Sequence, residues 1–279
     1  MTDPLPPAAR IARPEAALFV SDMHLDDAQP ALTARVLAGL DTSIEHADRA
    51  VPGGLAAGGV SLFLLGDQFE FWVGDDQLTR SAVALANRLE AFAARGARIF
   101  LMRGNRDFLL DVPLPGQSSQ RSFSGMCGAT MLSDPAAIEV AGRRVVLSHG
   151  DALCVDDTAY QQWRALCRSA QWQRDFLARP PPERIRMALD LRSRSSAVQA
   201  LTETLSDVDE TAASALLSDQ SADLLVHGHT HRPGRHRWPR PDGTGPYERW
   251  VLGDWAAAPP RGAVMTLAEG LALPPTAPG

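Results

Sequence analysis

Five short apolar runs, each ending in a small residue beside Asp, Asn or His, constrain this chain more than any other feature. Ala17-Leu18-Phe19-Val20 leads into Ser21-Asp22-Met23-His24, and Ser61-Leu62-Phe63-Leu64-Leu65 leads into Gly66-Asp67-Gln68-Phe69-Glu70. Arg98-Ile99-Phe100-Leu101-Met102 precedes Gly104-Asn105-Arg106-Asp107. Arg144-Val145-Val146-Leu147 precedes Ser148-His149-Gly150-Asp151, and Asp223-Leu224-Leu225-Val226 precedes His227-Gly228-His229-Thr230-His231. Runs of this length and composition read as buried strands. Helical patterns over about 30–48 and 79–95 separate the first three, as in strand–helix–strand units. In open α/β sheets the ligand crevice lies at the carboxyl ends of the strands, so these polar residues are expected to converge.

The rest of the chain sorts by composition. The Pro-rich ends, 1–14 and 272–279, are expected to be disordered tails. The Gly/Ala/Pro stretch at 50–59 reads as a surface loop. From 157 to 220 the sequence is rich in Arg, Ala and Leu and is broken by Pro180-Pro181-Pro182. It is expected to be a helical insertion forming a cap, within a core made of 15–156 and 221–271. Trp250-Val251-Leu252 and 263–267 read as closing strands.

Hydrophobic residues at 45% and charged residues at 22% suit a soluble globular protein. A formal net charge of −6 argues against a general nucleic-acid binder. All 27 basic residues are Arg, so every cationic contact is a guanidinium, suited to a bidentate grip on phosphate. Cys127, Cys154 and Cys167 form neither a disulfide framework nor a zinc knuckle, which suits a reducing compartment. With no signal peptide and no spanning run, a cytoplasmic monomer is expected, with attachment to a membrane surface left open.

The chemistry of the strand ends is coherent. Carboxylate oxygens and imidazole nitrogens suit Mn, Fe or Zn. Asp22 and His24, two residues apart on an extended segment, can share one metal, and His227 and His229 have the same spacing. A carboxylate such as Asp67 can bridge two metals, leaving Asn105 and His149 to complete the second. A pair of such ions clamps the attacking and leaving oxygens of a phosphoryl transfer. One Asp or His at a strand end is more often a cap or turn residue; five such ends together leave that reading little room. His231 reads equally well as a supporting or surface group.

In order along 16–231, the blocks Asp-x-His, Gly-Asp, Gly-Asn-Arg, His-Gly and Gly-His-x-His resemble the calcineurin-like metallophosphoesterase superfamily. The resemblance implies an α/β fold, a four-layer αββα sandwich. It implies two Mn²⁺ ions, one held by Asp22, His24, Asp67 and His229, the other by Asp67, Asn105, His149 and His227. Arg in place of the usual His after Asn105, with Gly-Asp-Gln-Phe-Glu-Phe-Trp-Val-Gly-Asp-Asp and the Asp-Asp-Thr-Ala-Tyr-Gln block, resembles the branch that acts on UDP-2,3-diacylglucosamine. That branch implies release of UMP and 2,3-diacylglucosamine 1-phosphate in lipid A synthesis, by a metal-held hydroxide, at the cytoplasmic face of the inner membrane.

Asp67, Asn105, Arg106 and His227 would then be catalytic, with Arg106 pairing with a diphosphate oxygen. Asn105, Arg106, Asp157, Arg192, Ser195, Gln199, Thr202 and His227 would contact substrate, with Thr202 where the branch has Lys. Trp163, Leu166, Trp172, Phe176, Leu177, Ile185, Met187 and Leu189 are available for an acyl-chain trough or for the insertion's own core. The competing expectations are another two-metal phosphodiesterase or nucleotide phosphatase, and a non-catalytic scaffold of the same fold.

Overall fold

A computed structural model describes residues 14–116, 121–201, 207–268 and 271–273, without side chains over 192–201 and 271–273. Two sheets stack face to face. In the first, β1 (Ala16–Val20), β2 (Val60–Leu65), β3 (Arg98–Met102) and β4 (Ala129–Met131) are mutually parallel. The second contains β5 (Ala136–Val140), β6 (Arg143–Ser148), β7 (Leu224–His227), β8 (Gly234–Pro239) and β9 (Pro246–Val251), in the order β5-β6-β7-β9-β8. Back in the first sheet, β10 (Met265–Ala268) runs antiparallel beside β1, and β11 (Leu271–Leu273) lies outside it.

Alternation along each strand divides the core. Ala17 and Phe19 of β1, Phe63 and Leu65 of β2, and Phe100 and Met102 of β3 meet Val145, Leu147, Leu224, Val226 and Trp250 of the second sheet. Phe19, Phe63 and Phe100 lie in register across three strands, with ring centroids 5.4 and 4.9 Å apart. The opposite faces of β1–β3 pack on α1 (Pro30–Ala50) and α2 (Arg80–Ala94). Leu32, Val36, Leu40, Ile44 and Ala47 recur at helical spacing on the buried face of α1. Thr79 caps α2 by accepting from the Ala82 N–H. A short α3 (Phe123–Cys127) precedes β4.

Within the stretch assigned to the insertion stand α4 (Thr158–Cys167), α5 (Ala170–Leu177), α6 (Pro181–Leu201) and α7 (Glu210–Asp219). The last departs from that assignment. Its Ala213 and Leu217 pack with Val146 and Leu225 on the outer face of the second sheet, making α7 the fourth layer of the sandwich. Apolar spacing alone could not distinguish a cap helix from a layer helix. β11 also takes two residues from the stretch read as the C-terminal tail, by pairing with β10. The surface loop after α1 is held down by Asp48 Oδ1, which accepts from the Leu55 N–H at 2.7 Å and leaves Leu55 buried. Most of the N-terminal tail, and Thr202, lie outside the described residues.

The central ring of the aromatic stack gives a stability test. Phe63→Ala should lower unfolding stability by about 3–5 kcal/mol, read from urea denaturation. A loss below about 1 kcal/mol would mean the sheets do not depend on the stack.

Candidate metal centre

The carboxyl ends of β1, β2, β3, β6 and β7 meet at one edge of the sandwich. The loops interlock through the backbone: the Asp22 N–H donates to Gly66 O at 3.1 Å, the His24 N–H to Asp67 O at 3.0 Å, and the Gly228 N–H to His149 O at 3.0 Å. Gly228 lies against the first sheet, where an added Cβ would sit 2.2 Å from Asp22 Oδ2. Asp22 Oδ2 instead accepts from the His229 N–H at 2.9 Å and from Ser21 Oγ at 2.5 Å.

Backbone conformation marks the same residues. Eight non-glycine residues have positive φ among those described, and five of them are Asp22, His24, Asp67, His229 and His231. Such conformations cost about 1–3 kcal/mol each and gather where function over-determines the backbone.

The side chains form two overlapping groups. Ligand-type atoms of Asp22, Asp67 and His149 lie within 4.8 Å of one another, as do those of Asp22, His24 and His231. Asn105 Oδ1 is 2.9 Å from His149 Nε2 and 2.8 Å from His229 Nδ1. His227 is fully buried, with Nδ1 2.8 Å from Gly228 O. Its Nε2 is buried without a partner. Burial pushes the His227 pKa down to about 3, so the ring stays neutral, and an Nδ1–H donated to Gly228 leaves a bare lone pair on Nε2. A buried imidazole in that state fits a metal ligand. His149 differs: burial alone would lower its pKa, but the Asp67 and Asp22 carboxylates overcome this and raise it to about 9. Burial and His149 together bring His229 down to about 4.

These distances link Asp22, His24, Asp67, Asn105, His149 and His229, and His227 ends β7. His231, which read equally well as a supporting or surface group, lies beside Asp22 and His24. His231 Nε2 is 3.2 Å from Asp22 Oδ1 and 3.2 Å from His24 Nε2. Arg106 is also better defined than its motif suggested. Its backbone N–H donates to Asp67 Oδ1 at 2.8 Å, and its guanidinium donates to Glu70 Oε1 at 2.9 Å. Glu70 Oε2 lies 3.3 Å from His24 Nδ1, so this carboxylate joins a candidate ligand to the candidate phosphate contact. Its place in the Gly-Asp-Gln-Phe-Glu block was the only sequence signal for it.

Two buried carboxylates brace the loops. Asp107 accepts from the N–H groups of Gln68 and Gly104, each at 2.7 Å, and of Asp67 at 3.3 Å. Asp151 Oδ2 accepts from Tyr160 Oη at 2.6 Å, Arg164 Nε at 2.8 Å and an Arg168 guanidinium N–H at 3.3 Å, which ties α4 to the loop after β6.

Beside the cluster opens a cavity of about 370 Å³. Asn105, Arg106 and His229 form its polar end, while Phe108, Trp163, Trp172 and Phe176 are among its apolar walls. Asp157 lines it too, and caps α4 by accepting from the Tyr160 N–H at 2.9 Å. Of the other residues offered for a trough, Leu177 is buried in the core, Ile185 and Met187 pack against that core, and Leu166 and Leu189 are exposed. The backbone of Arg192, Ser195 and Gln199 continues α6, and their side chains lie outside the described residues.

Asp151 carries a pH signature. Burial would raise its pKa, but His149, Arg168 and Arg164 hold it below the ordinary 3.8. A carboxyl shifted this way stabilises the fold above 3.8 and loses that contribution as the pH falls toward its folded value. Asp151→Asn should be less stable than the parent by about 1–3 kcal/mol at neutral pH, and the gap should shrink below about pH 4. Urea melts across this range decide it; a gap independent of pH would contradict the assignment.

The sequence pattern of the family described as calcineurin-like phosphoesterase matches residues 17–233. A protein of Chromobacterium violaceum named UDP-2,3-diacylglucosamine hydrolase is 41% identical over 90% of this chain and 94% of its own length. Proteins of the same name from Bordetella pertussis and Xanthomonas oryzae are 40% and 38% identical, covering 89% and 92% of this chain and 90% and 97% of their own lengths. The chain belongs to the calcineurin-like phosphoesterase family.

Proposed function

We propose that the protein hydrolyses the diphosphate of UDP-2,3-diacylglucosamine, releasing UMP and 2,3-diacylglucosamine 1-phosphate for lipid A synthesis. The observation that carries this reading is the cavity that runs from Asn105, Arg106 and His229 to apolar walls on α4, α5 and α6. A diphosphate and an acyl chain need such contrasting surfaces side by side, and relatives of that name match nearly the whole chain.

In this reading Asp22, His24, Asp67, Asn105, His149, His227 and His229 hold two divalent ions, for which Mn²⁺ is the proposed identity. His231 joins them beside Asp22. The ions would supply Lewis-acid charge and a nucleophile at neutral pH. Arg106, steadied by Glu70 and Asp67, faces the diphosphate and balances charge that grows on its oxygens. The buried carboxylate of Asp107 keeps the loops after β2 and β3 at fixed spacing. Helices α4 to α6 cap the site, and their aromatic residues Trp163, Trp172 and Phe176 take the acyl part. Asp157, Arg192, Ser195, Gln199 and Thr202 are the proposed contacts to the rest of the substrate.

Among the described residues no helix is long and apolar enough to cross a membrane. Exposed Val155, Leu166, Leu189 and Leu191 support peripheral contact with a lipid surface.

The direct test is UMP release from UDP-2,3-diacylglucosamine with added Mn²⁺, compared with cyclic nucleotides and an aryl phosphate diester. The lipid nucleotide should be strongly preferred; equal rates on all three would refute the assignment. Asp67→Ala should abolish activity by orders of magnitude and reduce bound metal, measured by elemental analysis. Arg106→Ala should keep its metal and lose about 10²–10³-fold in kcat. Near-normal turnover in Asp67→Ala would contradict a bridging role.

A further inference from the structure

The largest fully buried side chain among the described residues is charged. Arg184, near the start of α6, is 1% exposed. Its guanidinium donates to Val73 O at 2.5 Å and to both carboxylate oxygens of Asp76, one of them at 2.9 Å. Space for it exists because residue 74 is Gly. An added Cβ there would meet Arg184 Nη1 at 2.5 Å and Leu177 Cδ2 at 3.0 Å, and the backbone φ of +130° disfavours any other residue.

An ion pair with a buried member is a poor source of stability, since well-packed apolar residues of similar volume often do as well. What it supplies is geometry, because a planar guanidinium on a carboxylate accepts few arrangements. Here that geometry joins the two walls of the cavity. Phe71 and Trp72 line one wall and run directly into the Val73–Asp76 segment that receives Arg184. Ala188 and Leu191 line the other wall, four and seven residues beyond Arg184 on the same face of α6.

We propose that Arg184, seated on Asp76 and Val73 over Gly74, is a positioning residue that sets the width of the apolar cavity and thereby the fit of the substrate's acyl part. This rests on the substrate reading above. None of the three residues belongs to the metal cluster, so the chemistry at Asp67 and Asn105 should survive their loss.

The test uses the full chain carrying Asp76→Asn, Arg184→Lys or Gly74→Ala. In each, KM for UDP-2,3-diacylglucosamine should rise by about tenfold or more with kcat little changed, while Mn²⁺-dependent hydrolysis of bis(p-nitrophenyl) phosphate stays within about twofold. Amide hydrogen exchange over 170–191 should quicken by about tenfold, with β1–β3 unaffected. Parallel losses on both substrates, an unaltered KM, or unaltered exchange each overturn the assignment. Should Gly74→Ala fail to fold, the near-isosteric Asp76→Asn decides. A parent protein that cleaves the aryl diester but not the lipid nucleotide would sink the substrate reading, and the exchange measurement would still decide whether Arg184 seats α6.

Discussion

The loops of the two sheets can share a site only because Gly228 lies against Asp22. Asp22 ends a strand of the first sheet, and His229 follows a strand of the second. The hydrogen bond from the His229 N–H to Asp22 Oδ2 joins them at 2.9 Å. A side chain at position 228 would fill the space this contact occupies. Every other candidate donor is placed by the same closure, since Asp67 and Asn105 come with the first sheet and His149 and His227 with the second. Asp22 bears the electrostatic consequence. Burial works against its charge, yet His231, His149 and His24 hold its carboxyl well below the usual carboxylate range.

Around that junction the protein uses carboxylates as braces. Asp107 gathers three backbone N–H groups from two loops, Asp151 gathers three side-chain donors from α4 and its C-cap Arg168, and Asp76 receives one guanidinium. A carboxylate is costly to bury alone and becomes tolerable where donors meet it. The first brace fixes loop against loop, whereas the other two fix helices α4 and α6 to the core. Candidate metal chemistry and candidate substrate pocket thus hang on separate supports, which allows one to change without the other.

Much of this was visible in the chain itself. Five of the core strands lie within a few residues of the apolar runs that announced them, because buried parallel strands need continuous apolar sequence. Strands β4, β5, β8 and β11 were missed. The first is three residues long, and β8 carries Arg235, His236 and Arg237 at a sheet edge, where one face meets solvent. All seven predicted donors fell at one edge of the sandwich. His231 was left undecided because spacing within His-Gly-His-Thr-His cannot say which imidazoles face Asp22.

By itself, then, the sequence announced the long buried strands and offered the candidate donors, since these are written in local runs and short motifs. Only the tertiary structure decided which groups meet. His231 reaches Asp22 across 209 positions, Arg184 reaches Asp76 across 108, and α7 leaves the insertion to cover the second sheet. Contacts of that separation depend on how whole layers pack, and no local pattern encodes them. The polar residues at strand ends thus supplied the candidate donors, while the closure of two sheets through Gly228 brought their loops together.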